Sequence, residues 1–339
     1  MHTKFISVVL LLAAIPPGSQ ASDLIACSGA IRIQAPLAVH LAPEKVQAIG
    51  SKIRFCTYNI QDFSDGFNDA SNRTPALARG QARDAAGLIR AVNPDVVVMQ
   101  EVENGESLAM LNGSFHKPYP LAYVARFGFG EQRKDKLNIA LLSRVRIGNL
   151  REIDFEYMDG DRCPVRGVLS FTIPAGEGHR FLVYAVHLKS NFGEQARNIA
   201  MREGAMRLVR KDADAFMKKN PGVQWEVLVL GDMNVDPDDA QFRKDTTLAP
   251  FADWHDLWRG RSLSERVTVP TRHGNPMLEF PPACFDRFIV SPSLKVEPWT
   301  VGEPMRLLRG VDTADVNTLP GVDSRHVSDH YPAYLDVWR

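Results

Sequence analysis

The sequence lacks a surplus of charge: Lys and Arg total 40 and Asp and Glu total 40 in 339 residues, so the formal net charge is zero. That excludes a protein built as a nucleic-acid-coating polycation, and equally an acidic disordered chain, while leaving room for a local basic patch. There is no Gly-x-x-x-x-Gly-Lys-Ser/Thr run, so a nucleotide-driven motor is excluded. Nor is there a Gly-x-Ser-x-Gly turn, which argues against a serine hydrolase. Cysteine is sparse, with Cys27, Cys56, Cys163 and Cys284, and no pair has the spacing of zinc ligands. Long apolar runs are confined to the start. Residues 5–15 are too few to span a bilayer, and no later segment reads as transmembrane.

That first segment has a different use. MHTK is a short positive start, FISVVLLLAAI an apolar stretch, and Ser19-Gln20-Ala21 puts small residues where a signal peptidase cuts. A signal peptide over 1–21 is expected, giving an exported protein, periplasmic or secreted, with no stable membrane anchor. Export makes the cysteines readable as up to two disulfides, with three pairings open. Hydrophobic residues at 45% and charged residues at 24% are ordinary for a globular chain. The expected layout is an arm over 22–50 and one α/β domain over 51–339, with nothing to suggest more than a monomer.

Upstream of Ile53 the only strand-like stretch is Ala30–Gln34. From Ile53 the pattern sharpens: IRFCTYNI reads as a strand, and a polar loop follows to about Thr74. Ala82, Ala85, Ala86, Ile89 and Val92 then fall at helical spacing, and Asn93-Pro94 ends that helix. PDVVVMQEVEN is a continuous apolar run, as a strand buried on both faces requires. LNIALLSR, VLSFTI and HRFLVYAVHLKS read as strands, and Gln195–Lys219 as a long amphipathic helix broken by Asn220-Pro221-Gly222. VQWEVLVLGDMN, CFDRFIVS and HYPAYLDVW complete the strands.

Repeatedly an apolar strand carries a carboxylate, carboxamide or imidazole at or beside its end: Asn59, Glu101, His187, Asp232 with Asn234, Asp286, and Asp329-His330. In α/β proteins strand ends are where sites are assembled. Asn59, Glu101, Asp232, Asn234 and Asp329 offer oxygen, which suits a hard cation such as Mg²⁺, Mn²⁺ or Ca²⁺. Two histidines in that company are too few for zinc. Hard metal, carboxylates and histidine without a nucleotide loop fit metal-assisted hydrolysis of a phosphate ester.

The segments TYNI (57–60), MQEVE (99–103), VHLKS (186–190), LGDMN (230–234), FDRFIVS (285–291) and SDHYP (328–332) also resemble, in order, those of the endonuclease/exonuclease/phosphatase superfamily. Pancreatic-type deoxyribonucleases, apurinic endonucleases, bacterial sphingomyelinases and inositol polyphosphate 5-phosphatases belong to it. The resemblance implies a four-layered α/β sandwich, two mixed β-sheets packed face to face with helices outside. It implies metal ligation by Glu101 and Asn59, with Asp329 and Asp232 on the metal side. It further implies that Asp232 and Asn234 orient water and phosphate, that His330 is the general base held by Asp286, and that His187 assists the phosphate or leaving group. Arg166 and Lys189 are candidate phosphate contacts. The stretch 126–136, with Arg126, Arg133, Lys134 and Lys136 beside Tyr123, Phe127 and Phe129, reads as a loop that could meet nucleic acid. A metal-dependent nuclease is therefore expected; a phosphatase or phosphodiesterase for a lipid head group or small phosphate ester is the alternative.

Overall fold

Alternation along IRFCTYNI sends its side chains into two different cores. Ile53 and Phe55 join one buried cluster, while Cys56, Tyr58 and Ile60 join another. A strand apolar on both faces must have a packed layer on each side, and the rest of the chain supplies them. In this computed structural model the described residues are 28–67, 73–127, 137–159, 164, 166–176, 178–270, 282–312, 320–321 and 325–339.

The strands in chain order are β1 (Ser28–Gln34), β2 (Leu37–Leu41), β3 (Lys52–Phe63), β4 (Val96–Val102), β5 (Leu121–Val124), β6 (Asn138–Ser143), β7 (Gly148–Asp159) and β8 (Val168–Pro174). They continue with β9 (His179–His187), β10 (Gln224–Asp232), β11 (His255–Asp256), β12 (Asp286–Val290), β13 (Thr300–Val301), β14 (Met305–Arg306) and β15 (Ala333–Trp338). The helices are α1 (Pro75–Val92), α2 (Gly105–Gly113), α3 (Gln195–Lys219) and the single turn α4 (Leu263–Arg266).

One sheet has the order β1-β7-β8-β9-β10-β12-β11, the other β13-β15-β3-β4-β6-β5-β2, with β14 paired to β15. Both are mixed, because β9–β10 and β3–β4 are parallel and the other pairs antiparallel. Phe55, Val98 and Leu141 from one sheet meet Phe171, Val183, Leu228 and Phe288 from the other in the central core. The outer faces are covered separately, by α1 and α2 over Tyr58, Met99 and Leu142, and by α3 over Tyr184, Val227 and Val229. Helices, sheet, sheet, helix is the expected four-layered sandwich.

Thr74 caps α1 by accepting from Leu77 N–H, and Pro75 sits at its first turn. The helix thus starts earlier than its apolar spacing shows. Asn93 ends it in the left-handed conformation. The arm is not a free leader to the domain, since β1 pairs with β7 and β2 with β5.

Two expectations are corrected. Cys56 and Cys284 are buried free thiols in different cores, so at most Cys27 and Cys163, which lie outside the described residues, remain to pair. Burial pushes both thiols well above their ordinary pKa. Tyr123 and Phe127 are not ligand-facing: Phe127 is in the central core and Tyr123 packs against it. Phe129, Arg133, Lys134 and Lys136 fall outside the described residues, as does 1–27. Among the described residues no helix is long and apolar enough to cross a membrane.

Candidate active site

Strand register assembles the site. Asp232 of β10 lies opposite His187 of β9 on one side and Asp286 of β12 on the other. In the second sheet Asn59 is paired with Gln100, which brings Glu101 alongside, and Ala333 is opposite Thr57, which delivers Asp329-His330 to the same end. The carboxyl ends of β3, β4, β9 and β10 therefore converge with the amino end of antiparallel β12. Gly231 makes this possible: its φ is +141° and a Cβ there would stand 2.0 Å from the Val186 carbonyl oxygen.

Asn59 Nδ2 donates to Glu101 Oε1 at 3.0 Å and to Asp232 Oδ2 at 3.1 Å, linking a carboxylate from each sheet. Asp62 N–H donates to Glu101 Oε2 at 2.8 Å. His187 Nε2 faces both carboxylates, 3.7 Å from Glu101 Oε1 and 3.6 Å from Asp232 Oδ2. Across the site His330 Nδ1 meets Asp286 Oδ2 at 2.7 Å, which turns Nε2 toward Asp232 at 3.9 Å and Asp329 at 4.0 Å. Asn234 N–H donates to Asp232 Oδ1 at 2.9 Å and its side chain to Leu188 O at 3.2 Å. Glu101 and Asn234 both hold positive φ, at +64° and +52°. Strain of this kind persists where surrounding contacts enforce a geometry.

The electrostatics divide the site. Burial and the Asp329 charge push the Glu101 carboxyl up, against its hydrogen bonds from Asn59 and Asp62. Burial lifts Asp232 to about 6, with His330 opposing and Asp286 adding to the rise. Burial works against a charged His330, but the charge and hydrogen bond of Asp286, helped by Asp329 and Asp232, outweigh it and raise the imidazole to about 10. His187 goes the other way: burial, then Arg166 and His330, hold it well below its ordinary value, so it is neutral. Its Nδ1 is buried with no hydrogen-bond partner, which leaves the single proton to serve the Glu101–Asp232 side at Nε2.

The structure thus brings together Asn59, Glu101, His187, Asp232, Asn234, Asp286, Asp329 and His330. Arg166 reaches the same end, donating to Leu188 O at 2.8 Å. Lys189 is placed differently from its expected phosphate role, with Nζ donating to Ser190 O, Ser190 Oγ and Phe192 O in its own loop. Asn59 Oδ1 accepts from Gln61 N–H at 3.0 Å, which orients the amide and presents Nδ2 to the carboxylates.

Sequence reasoning missed the residues that hold these groups. Ser328 Oγ donates to Asn59 O at 2.6 Å and accepts from His330 N–H at 3.0 Å, joining the two segments. Gln81 donates from α1 to Ile60 O, Gln61 O and Val327 O. A polar residue on the apolar stripe with Ala78 and Ala85 was the available signal. Arg73 in turn donates to Gln81 Oε1 and to the Gln61 and Asp62 carbonyls. Beneath the Asn234 turn, buried Asp236 pairs with Arg266, and Arg287 pairs with Asp256.

A hard divalent cation fits this donor set. Burial first and the Asp329 charge second raise Glu101, so a cation between the two carboxylates would favour their charged forms. No three His, Cys, Asp or Glu side chains among the described residues form a closed metal cage. Mg²⁺ characteristically takes one or two carboxylates and completes its shell with water and substrate phosphate. A cavity of about 700 Å³ elsewhere, lined by residues including Arg243, Trp254, His255 and Lys295, contains none of these groups.

The Endonuclease/Exonuclease/phosphatase family profile matches residues 56–330, from the middle of β3 to the histidine paired with Asp286. The chain belongs to the endonuclease/exonuclease/phosphatase family. Members are phosphoric ester hydrolases, typically dependent on a divalent metal, and this chain is accordingly a phosphoesterase. No curated protein sequence matches it significantly. Among solved structures it is similar to truncated Caenorhabditis elegans TDP2, with 18% identity and a TM-score of 0.57 over 86% of this chain and 100% of that one. The same figures hold for D. rerio TDP2 complexed with single strand DNA product. A Bacteroides thetaiotaomicron mannosyl-6-phosphatase gives 16% identity and a TM-score of 0.55 over 85% of this chain and 100% of that one. At such identities the likeness is one of fold, the endonuclease/exonuclease/phosphatase sandwich.

Proposed function

We propose that the protein is an exported, divalent-metal-dependent endonuclease that hydrolyses nucleic-acid phosphodiester bonds. The observation that carries the reading is the His330–Asp286 pair, 2.7 Å apart, facing the Glu101, Asp232 and Asp329 carboxylates across a gap lined by Asn234. Glu101 and Asp329 would hold the cation, with Mg²⁺ the first choice and Mn²⁺ or Ca²⁺ the alternatives. When bound, it would supply positive charge to the phosphate and oppose the charged form of His330.

Asp286 fixes the ring so that Nε2 faces the gap, and His330 takes a proton from the attacking water as general base. Asp232 and Asn234 orient that water and a phosphate oxygen. Neutral His187 donates from Nε2, and Arg166 adds charge on the same side. The D. rerio TDP2 structure with single strand DNA product supports a nucleic-acid substrate for this fold. The mannosyl-6-phosphatase keeps a small phosphate ester as the second reading. Export rests on the signal-like residues 1–21 and is checked by fractionating cells and reading the mature N-terminus, expected at Ser22.

The purified protein should be assayed with Mg²⁺, Mn²⁺ or Ca²⁺, and with EDTA, on plasmid DNA, single-stranded RNA, sphingomyelin and a panel of phosphomonoesters. Degradation of nucleic acid that EDTA abolishes supports the nuclease reading. Inert nucleic acid with turnover of a lipid or sugar phosphate replaces it with the second.

A further inference from the structure

The two halves of the His330–Asp286 pair come from different sheets. Asp286 opens β12 in one, His330 precedes β15 in the other, and no ladder joins these strands. Strand β11 supports β12 only through the pairs His255–Val290 and Asp256–Ile289, after which Leu257 N–H donates to Phe288 O at 3.0 Å. At Asp286 side chains take over from the ladder. Trp258 Nε1 donates to Asp286 O at 3.0 Å, and Asp286 N–H donates to Thr268 Oγ1 at 3.1 Å.

Thr268 is fully buried, and its polar groups are engaged with the segments that carry the pair. Its Oγ1 also accepts from Phe285 N–H at 3.0 Å, which uses the second lone pair of the hydroxyl. Its carbonyl accepts from Tyr331 N–H at 2.8 Å, directly after His330, and its own N–H donates to Ala283 O at 2.9 Å. One residue therefore grips the chain beside each half of the pair. Phe285 O in turn accepts from Met233 N–H at 2.8 Å, which extends the brace to the turn between Asp232 and Asn234. Two residues upstream, buried Arg266 meets the Asp236 carboxylate through Nε at 3.1 Å and Nη2 at 3.0 Å, and Cys284 N–H donates to the same carboxylate at 3.0 Å. The segment 266–268 is thus bonded to all three chain segments around the base. A misplacement of about 1 Å at such a group can cost about a hundredfold in rate.

We propose that Thr268 is a positioning residue for the His330–Asp286 pair. By holding Asp286 N–H and Tyr331 N–H at once it sets the aim of His330 Nε2, while, being fully buried, it touches no substrate. This rests on the base role of His330 given above.

The test follows turnover of bis(p-nitrophenyl) phosphate and p-nitrophenyl phosphate at saturating Mg²⁺ by wild type, Thr268→Val, Thr268→Ala, Thr268→Ser and His330→Ala. Thr268→Val keeps the shape and removes the acceptor, so kcat should fall about ten- to a hundredfold with KM nearly unchanged. Thr268→Ala should do the same and replaces Thr268→Val if that variant does not fold. Thr268→Ser keeps the hydroxyl and should retain most of the wild-type kcat. In an Asp286→Asn background, Thr268→Val should lower kcat by less than about threefold more, because the pair it aligns is already broken. A loss of stability with kcat of the folded protein intact overturns the proposal. So does a kcat loss that Thr268→Ser shares, or one that adds in full to that of Asp286→Asn. His330→Ala inactive beside an active Thr268→Val overturns this proposal alone, whereas His330→Ala with wild-type kcat overturns the base reading as well.

Discussion

His330 carries the heaviest demand of any residue, because its ring is both buried and surrounded by carboxylates. Replacing it with Ala should lower kcat by about 10²–10⁴, the worth of a positioned general base, in a steady-state assay with unchanged circular dichroism. In the metal-free protein its NMR titration should lie near pH 10, against an ordinary 6.5, and Asp286→Asn should bring it down. Because the folded value is the higher one, the stabilisation is complete below about pH 6.5 and is lost as pH rises through about 10. Urea unfolding of the metal-free protein across that window should show the decline, and Asp286→Asn should flatten it. Glu101→Gln removes charge from the cation side, so the metal concentration for half-maximal activity should rise severalfold in a metal titration. These residues were legible in the sequence because six polar-ended apolar strands recur together and in the order of the family's segments. The direction of Asn59 was not, since only the Gln61 N–H tells its oxygen from its nitrogen.

Among the elements, β9 and β10 set the tolerances of the site. Each carries a functional residue at its last position, His187 and Asp232, and the preceding pair Val186 and Gly231 has no spare room. Gly231→Ala should cost about 2–5 kcal/mol through backbone strain and overpacking, read by urea unfolding, and should lower kcat as well because the strand ends separate. The buried strands were readable because apolar runs framed by Pro, Gly and Asn have few alternatives, and α3 was readable to its ends. Strands β2, β5 and β7 were not. Their residues alternate weakly, and each has on one side a partner distant in sequence, β2 with β5 and β1 with β7. Helix α2 was also unread, because Gly105 and Gly113 bracket a stretch that propensity alone does not favour, and its Asn104 cap is what nucleates it.

At the scale of the whole molecule, residues 28–41 pass from the rim of one sheet to the rim of the other, turning at Ala35-Pro36. The opposite rims end in the two-residue strands β11 and β13. None of the catalytic side chains lies on β1 or β2, so the segment contributes nothing to the chemistry directly. Its effect is colloidal. Without it, β7 and β5 would present rows of open N–H and C=O groups to other chains. A protein lacking residues 22–41 should therefore retain its metal response and specific activity when dilute, yet scatter light and form larger species as its concentration rises. The arm that reads in the sequence as a mere lead-in is thus what covers two sheet rims that other chains could otherwise pair with.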